Sequence, residues 1–290
     1  MTKSFRKRTV VDGLDLAIPR GSVYGFLGPN GSGKSTTMKM LLGLLHPSAG
    51  QVFLLGEDPW GEARARLMPR IGSMIEHPPG YGHLTGAENM RLLARLLNLE
   101  TTRIDRALEL VRLTDHRDRL QRTYSLGMKQ RLGIAMALAR EPELLILDEP
   151  TNGLDPAGIE EIRELMIHLA SGGVTVMISS HLLDEIDRMA DILGVLSQGR
   201  LVFQGSRKEL FERSIPDLIV VTPQANAAAN LVRGCRLERN GIRVQGCGQE
   251  DAARLIVRLV QEGIPIHEVR RLQQSLEEVF MDLTGGTEAL

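Results

Sequence analysis

The sequence has few cysteines, few aromatic residues, little net charge and no long apolar run. Its 290 residues include two cysteines, too few for a disulfide framework and in keeping with a reducing cytosol. Aromatic residues make up 3% of the chain, which leaves little for base-stacking platforms. A formal net charge of −1 gives no overall field that would attract nucleic acid or an anionic membrane. No run approaches the roughly 18 apolar residues of a membrane-spanning helix, so any membrane role depends on another chain.

Short apolar runs alternate with helical patterns along most of the chain. Segments 23–28, 143–150 and 174–181 are typical of buried strands, and segment 192–205 of a hairpin divided by a Gln-Gly turn. Helical periodicity separates these segments, which predicts a parallel α/β sheet. Amphipathic helical patterns over about 84–140 predict a helical insert, whose charged faces are most simply solvated.

A change of pattern near Pro216 predicts a second domain. From there the strand and helix patterns follow the order β-α-β-β-α-β, which predicts a small α+β, ferredoxin-like fold. We therefore expect two domains, residues 1–212 and residues 213–290. Cys235 and Cys247 lie in the second and are expected to be small core residues. The basic segment that begins the chain is not followed by an apolar core, so no signal peptide is expected.

The stretch GPNGSGKST matches the phosphate-loop pattern G-x-x-x-x-G-K-[ST] and lies between a predicted strand and a predicted helix. Its glycines let successive backbone N–H groups point at phosphate oxygens, and the helix adds its N-terminal dipole. Lys34 supplies a charge to the β- and γ-phosphates, and Ser35 offers a hydroxyl to Mg²⁺. This pattern predicts a nucleoside triphosphate site. Its predicted residues are Gly28, Pro29, Asn30, Gly31, Ser32, Gly33, Lys34, Ser35 and Thr36.

The stretch LLILDEP, residues 144–150, supplies the second part of this site. Four apolar residues bury the strand and place Asp148 at its carboxyl end, where α/β sheets bind ligands. Asp148 is expected to hold Mg²⁺ through water. Glu149 is placed to polarise an attacking water molecule, so it is the candidate catalytic carboxylate.

The stretch YSLGMKQRLGIAMALAR, residues 124–140, discriminates among the families that share those two elements. Ser125 is placed to N-cap a helix, and Gly127 leaves the helix start open for a second anion. The stretch resembles the signature motif of ATP-binding-cassette (ABC) ATPases, which is usually L-S-G-G-Q. Leu126 and Met128 stand where that family usually has Gly and Gln.

Other elements of the cassette follow in order, so the resemblance covers about residues 3–210. The NGLD stretch ending at Asp155 resembles the D-loop, and His181 resembles the switch histidine that contacts the γ-phosphate. Phe5 resembles the aromatic residue that stacks on adenine. The family's first strand normally precedes this aromatic residue, so we expect a shortened sheet edge or an internal recorded start.

The resemblance implies the ATPase subunit of an exporter. The C-terminal stretch SLEEVFMDLTGG resembles the small domain of ATPases paired with drug, antibiotic and lantibiotic exporters, the bacitracin-resistance type among them. In this family two chains, as a homodimer or a heterodimer with a related ATPase, close head to tail around two ATP molecules with Mg²⁺. Their movement drives separate membrane permease subunits, so the chain is expected to be peripheral at the cytoplasmic face of the membrane. The catalytic residues implied are Glu149, His181 and Lys34.

The stretch IGSMIEHPPGYGHLTGAEN, residues 71–89, carries Glu76 where most cassette ATPases have a glutamine that reaches Mg²⁺. No glutamine occurs between Gln51 and Gln121, and the stretch resembles the glutamate-bearing version of lantibiotic and bacitracin-type exporters. A carboxylate can also ligate Mg²⁺. The hypothesis is that Glu76 couples Mg²⁺ occupancy to movement of the helical insert and the permease, with two prolines stiffening the segment. The competing interpretation is a solvated loop residue.

Two other functions compete with the exporter subunit. One is a soluble ABC ATPase that acts on nucleic acid or ribosomes, and the other is a P-loop nucleotide switch or kinase. A single phosphate loop, no heptad run and no basic stripe disfavour the first, so no nucleic acid partner is expected. The P-loop switch or kinase would require that the match of residues 124–140 to the ABC signature is accidental.

Overall fold

The structure, a computed structural model, describes residues 1–6, 8–180 and 183–284. Contacts between residues divide the chain into two units. Residues 1–206 form the first, and the second begins at Arg207.

A two-stranded antiparallel sheet and a six-stranded sheet make up the strands of the first unit. The small sheet pairs β1 (Lys3–Phe5) with β2 (Arg8–Val11). Across the large sheet the order is β4-β5-β6-β3-β7-β8, and every neighbouring pair is parallel except β7–β8. Its strands are β3 (Val23–Leu27), β4 (Ile71–Met74), β5 (Leu144–Asp148), β6 (Thr175–Ser180), β7 (Ile192–Ser197) and β8 (Arg200–Ser206).

The buried strands form where apolar runs predict them. β3, β5 and β6 are buried at every residue, as expected for parallel strands covered on both faces. The predicted hairpin is β7–β8, and its turn residues Gln198 and Gly199 both have positive φ, which suits the right-handed twist of the strands. The predicted fold class is confirmed: a P-loop cassette with a parallel sheet, an antiparallel edge and a helical insert.

Seven α-helices of the first unit lie among the described residues, and α3 to α5 form the helical insert. α3 begins with a capping box, in which Thr85 and Glu88 exchange side-chain to backbone hydrogen bonds. The helices are α1 (Lys34–Leu41), α2 (Arg64–Leu67), α3 (Gly86–Leu97), α4 (Thr101–Leu110), α5 (Leu126–Leu138), α6 (Pro156–Ser171) and α7 (Leu183–Asp187).

The apolar faces of the insert are buried unequally. Ile104 and Leu108 on α4 lie in the interior, as their spacing predicts. On α3, by contrast, Leu92 is 44% exposed and Leu96 is 79% exposed. The apolar face of α3 is therefore only partly covered within this chain.

The second unit begins earlier than the predicted domain boundary after residue 212. Its first helix packs against its last, which places that helix within the second unit. The strands between them form a fully antiparallel sheet in the order β10-β11-β9-β12. Its elements are α8 (Arg207–Arg213), β9 (Asp217–Val221), α9 (Ala225–Leu231), β10 (Arg236–Glu238), β11 (Gly241–Val244), α10 (Gln249–Gln261), β12 (Glu268–Leu272) and α11 (Leu276–Thr284).

A buried ion-pair network ties α11 to the sheet of this unit. Arg243 donates from Nε to Asp217 Oδ2 at 2.6 Å and also contacts Glu278 on α11. Asp217 is fully buried, and its contact with Arg243 offsets the cost of removing the carboxylate from water. Cys247 is buried in the apolar core and Cys235 is partly buried against it, and both are free thiols.

Candidate functional site

The predicted phosphate loop lies between β3 and α1, and two of its glycines adopt backbone conformations with positive φ. Gly31 and Gly33 have φ values of 80° and 110°, which side chains rarely adopt. A Cβ atom on Gly28 would lie 2.5 Å from the carbonyl oxygen of Leu196, so that position has no room for a side chain. The glycines thus permit the close backbone path that a phosphate cradle requires.

Lys34 folds back over this loop. Its Nζ donates to the carbonyl oxygens of Gly28 at 2.6 Å and Pro29 at 3.3 Å, and its side chain is buried. Burial lowers the pKa of Lys34, while the negative charges of Glu149 and Asp148 raise it. The ammonium group therefore lies near both predicted carboxylates, at the loop predicted to hold phosphates.

Asp148 connects the phosphate loop to the centre of the sheet. Its Oδ2 accepts from Ser35 Oγ at 2.7 Å, and its Oδ1 accepts from Ser179 Oγ at 2.5 Å. Asp148 is only 8% exposed. A hydroxyl and a carboxylate side by side form the hard oxygen donor set that Mg²⁺ prefers, so these residues fit the predicted metal.

Glu149 follows in a strained backbone conformation. Its φ is 48°, uncommon for a residue with a side chain, and such outliers cluster at functional sites. Its N–H donates to Ser179 twice, to the carbonyl oxygen at 3.2 Å and to Oγ at 3.0 Å. Ser179 therefore holds the backbone of Glu149 as well as the side chain of Asp148. The predicted switch residue, His181, lies outside the described residues.

The predicted signature serine is an N-cap residue. Ser125 is exposed, and its Oγ accepts from Met128 N at 3.2 Å at the start of α5. A Cβ atom on Gly127 would lie 2.9 Å from Leu154 Cδ2, so the signature packs closely on the D-loop. Asp155 caps α6 by accepting from Gly158 N at 3.1 Å.

Ser125, Gly127 and Asp155 line one small polar cavity of about 250 Å³. Two arginines from the insert, Arg112 and Arg131, also line it. The structure thus joins the signature to the D-loop, while Lys34, Ser35, Asp148 and Glu149 make a separate group at the phosphate loop. Phe5 is 45% exposed on β1, with Lys3 Nζ 5.2 Å from its ring centroid.

Glu76 is anchored to the helix that follows the phosphate loop. Its φ is 67°, and His77 N donates to Ile75 O at 2.9 Å across it, which makes a γ-turn. Its Oε1 accepts from Lys39 Nζ on α1 at 2.5 Å. This hydrogen bond from Lys39 lowers the pKa of the Glu76 carboxyl.

Sequence patterns alone did not identify three residues of the site. Lys39 is a charge between two methionines in the second half of α1, and Ser179 is a fully buried hydroxyl in an apolar strand. Glu185 is a buried carboxylate that accepts from Thr151 Oγ1 at 2.5 Å and so joins α7 to the segment after Glu149. For Lys39 and Ser179 the signal is a polar residue among apolar neighbours, but it does not identify the partner. Glu185 lies in the acidic stretch LDEID and gives no such signal.

An apolar groove of about 560 Å³ lies beside β4 and the helical insert. Exposed Leu44, Leu92 and Leu96 line it, and Arg64 and Arg140 add positive charge. Across the part of the chain that the structure describes, no helix is long and apolar enough to span a bilayer. Nor do the described residues contain a group of three or more His, Cys, Asp or Glu side chains placed to hold a metal.

Comparison with known proteins gives matches along most of the chain. A family model described as ABC transporter matches residues 11–152. The bacitracin transport ATP-binding protein BcrA of Enterococcus faecalis is 39% identical over 294 residues, which is 99% of this chain and 95% of BcrA. The lantibiotic transport ATP-binding protein SrtF of Streptococcus pyogenes is 43% identical over 221 residues, 74% of this chain and 95% of SrtF. A solved ATP-binding subunit of an ABC transporter superposes with a TM-score of 0.67 and 29% identity, covering 73% of this chain and 90% of that one.

Proposed function

The chain belongs to the ABC transporter family, as the ATP-hydrolysing subunit of an exporter, and we propose that it powers efflux of a drug, antibiotic or peptide. The resemblance, the fold class and the ATPase activity predicted from the sequence are confirmed by the family match and the relatives. Those relatives are named for transport of bacitracin and of a lantibiotic, which supports a substrate of that class. The alternative, a soluble ATPase acting on nucleic acid or ribosomes, gains no support from them.

The observation that carries the proposal is the group of Lys34, Ser35 and Asp148 at the phosphate loop. The buried ammonium of Lys34 now contacts two loop carbonyls, and an arriving β- or γ-phosphate offers it stronger, charged acceptors. Glu149 follows Asp148 directly at the carboxyl end of β5, the edge of the sheet where parallel α/β sheets bind their ligands. In this proposal Glu149 accepts a proton from the attacking water, with His181 as the γ-phosphate sensor.

Ser35 and Asp148 are the residues that would hold Mg²⁺, with Glu76 as the further candidate ligand. Bound Mg²⁺ supplies positive charge that offsets the negative charge of the phosphates during transfer. Asp148 is oriented for this by the two hydroxyls that donate to it. Phe5 is proposed as the adenine contact, since its ring is exposed on the strand pair that packs against Gly33.

We place the signature group in a head-to-tail dimer. Ser125 is exposed at a helix start, and Gly127 leaves the helix start without a side chain, which favours binding of an anion. The terminal phosphate of ATP on a second copy is the proposed anion, and Asp155 on the adjoining helix cap would face the same partner. Two copies would then enclose two ATP molecules.

The proposed permease contact is the apolar groove beside β4. Exposed Leu92 and Leu96 suit the apolar face of a short permease helix, and Arg64 and Arg140 suit acidic groups at its ends. This family works with separate membrane permeases, and exposed apolar side chains of this size mark interaction sites. The chain would therefore be peripheral at the cytoplasmic face of the membrane.

Calorimetric titration with ATP and Mg²⁺, followed by ATPase assays, tests the proposal. Lys34→Ala should lose nucleotide binding, whereas Glu149→Gln should bind ATP but hydrolyse it roughly 10²–10⁴ times more slowly. Lys208→Ala, which removes an exposed lysine of the second unit, is the matched control. Unchanged binding in Lys34→Ala would refute the phosphate-loop assignment, and near-normal turnover in Glu149→Gln would remove Glu149 from the mechanism. Stimulation of the ATPase by candidate compounds, measured with the co-purified permease, tests the substrate class.

A further inference from the structure

Lys39 and Glu76 form an ion pair between α1 and the turn that follows β4. Lys39 Nζ lies 2.5 Å from Glu76 Oε1, and the two side chains are 34% and 57% exposed. Lys39 lies four residues after Ser35, hence on the same face of α1 and about one helical turn further on. The carboxylate of Glu76 is therefore held beside the residue proposed to bind Mg²⁺.

The segment after Glu76 is attached to the helical insert by contacts that do not involve charge. Asn89 of α3 is almost fully buried, and its side chain accepts from Tyr81 N at 2.7 Å and donates to Tyr81 O at 3.1 Å. A Cβ atom on Gly133 of α5 would lie 3.0 Å from Pro79 Cδ, so Pro79 packs directly on that helix. One end of the segment is thus held by the buried side chain of Asn89 and by packing on α5, and the other end is held by an exposed ion pair.

The exposed ion pair is the contact that can be exchanged. Exposed ion pairs are weak, whereas breaking the hydrogen bonds of Asn89 would leave a buried polar side chain without partners, which is costly. The positive φ of Glu76 turns the backbone away from the direction of β4. A change of partner at Glu76 would therefore move the segment at its charged end first.

We propose that Lys39 is a positioning residue that holds the Glu76 carboxylate on α1 until Mg²⁺ and nucleotide bind. Glu76 then exchanges the ammonium group for the metal, and the segment up to Pro79 follows its carboxylate. This inference rests on the proposed binding of Mg²⁺ and ATP at the phosphate loop. It adds a residue, Lys39, that competes with the metal for one of its ligands.

The competition predicts that removing Lys39 strengthens metal binding only when Glu76 is present. The probe is Mn²⁺ in place of Mg²⁺, with a non-hydrolysable ATP analogue at saturation, and free Mn²⁺ is measured by its electron paramagnetic resonance signal. In Lys39→Met the apparent dissociation constant of Mn²⁺ should fall about two- to fivefold, because the ion pair no longer competes. In Lys39→Arg, which keeps the cation, it should stay within twofold of the unmodified chain.

The Glu76→Gln background separates competition from long-range charge. A unit charge on the order of 10 Å from the metal changes the dissociation constant by about 1.5-fold at 0.15 M salt. Lys39→Met added to Glu76→Gln should therefore shift it by less than twofold. Lys208→Met, which removes the lysine of the exposed Lys208–Glu212 pair, should shift nothing.

Three results are distinguishable. A shift of about two- to fivefold that needs Glu76 supports the inference. Equal shifts in both backgrounds, or no shift in either, overturn it, because Lys39 would then act by charge alone or not at all. Failure of the unmodified chain to bind the ATP analogue would instead contradict the proposed function.

Hydrogen exchange of the nucleotide-free protein provides a second readout that needs no metal. Lys39→Met should speed amide exchange over residues 76–81 by about two- to fivefold, and Lys39→Arg should not. Exchange that is unchanged in Lys39→Met would show that the ion pair does not hold the segment.

Discussion

Replacing Ser179 by alanine should weaken both carboxylate residues of the candidate site, because this one hydroxyl contacts the two of them. Ser179 Oγ donates to Asp148 Oδ1 at 2.5 Å and accepts from the N–H of Glu149 at 3.0 Å. The serine is fully buried, and the strand register pairs it with Asp148. No water can therefore take the place of the hydroxyl without entering the core.

The size of the effect follows from the charge of the acceptor. A hydrogen bond to an ionised group contributes about 1.5–3 kcal/mol, and the acceptor left behind stays buried. Glu149 N retains the carbonyl oxygen of Ser179 as an acceptor at 3.2 Å, so its loss is smaller. For a unit of this size, the change corresponds to a drop in melting temperature of about 3–12 °C. ATP hydrolysis should also slow, since Asp148 and Glu149 lose the group that orients them.

The assay can follow the first unit alone. Trp60 is the only tryptophan of the chain and lies in that unit, stacked on His46 with ring centroids 3.6 Å apart. Its fluorescence should change when the unit unfolds with heat or urea. Ser73→Ala, an exposed serine on β4, is the control and should shift the transition by less than about 0.5 kcal/mol. Unfolding and ATP hydrolysis of Ser179→Ala that match the unmodified chain would refute the role given to this hydroxyl.

Two further predictions concern the packing of a glycine and the strength of a buried ion pair. Gly72→Ala should destabilise the first unit by about 1–3 kcal/mol in the same fluorescence assay, because its new Cβ would overlap a backbone carbonyl of α5. Gly61→Ala has open space and should be near neutral; equal effects at both positions would contradict the argument. Asp217→Ala should destabilise the second unit by about 3–5 kcal/mol, measured by hydrogen exchange, because Arg243 loses a fully buried partner. Asp251→Ala breaks the exposed pair with Arg254 and should cost less than about 1 kcal/mol. An equally large loss in Asp251→Ala would show that burial does not explain the effect of Asp217→Ala.

Some residues of the candidate site could be predicted from the sequence pattern, and others could not. Lys34 and Ser35 could be proposed from the sequence because their predicted roles depend on the glycines beside them and on the helix that follows. Ser35 lies at the start of the helix after β3 and Asp148 at the end of β5, so both lie at the carboxyl edge of one parallel sheet, where their contact could be foreseen. The contact of Ser179 could not be foreseen, because any buried strand can carry a serine and only the strand register decides what that serine contacts.

Some features of the fold could likewise be predicted from the sequence, and others could not. Apolar runs predicted five of the six strands of the central sheet, because a strand covered on both faces needs apolar residues throughout. The short strand β4, Ile71–Met74, was not predicted. The exposure of Leu96 could not be predicted, since its helical spacing is the same as that of a buried residue. Whether an apolar helix face is covered depends on what else the chain places against it.

Sequence patterns alone predicted the phosphate loop and most strands of the central sheet, and they show a glutamate before two prolines. Those features depend on local geometry: glycines that allow positive φ, prolines that restrict their neighbours, and apolar runs of strand length. The partner of each isolated charge, by contrast, is known only from the packed structure. Lys39 and Glu76 are far apart in sequence and lie 2.5 Å apart in space, because α1 and the end of β4 lie side by side. Electrostatic interactions depend on distance in space, so they are known only after the elements have packed.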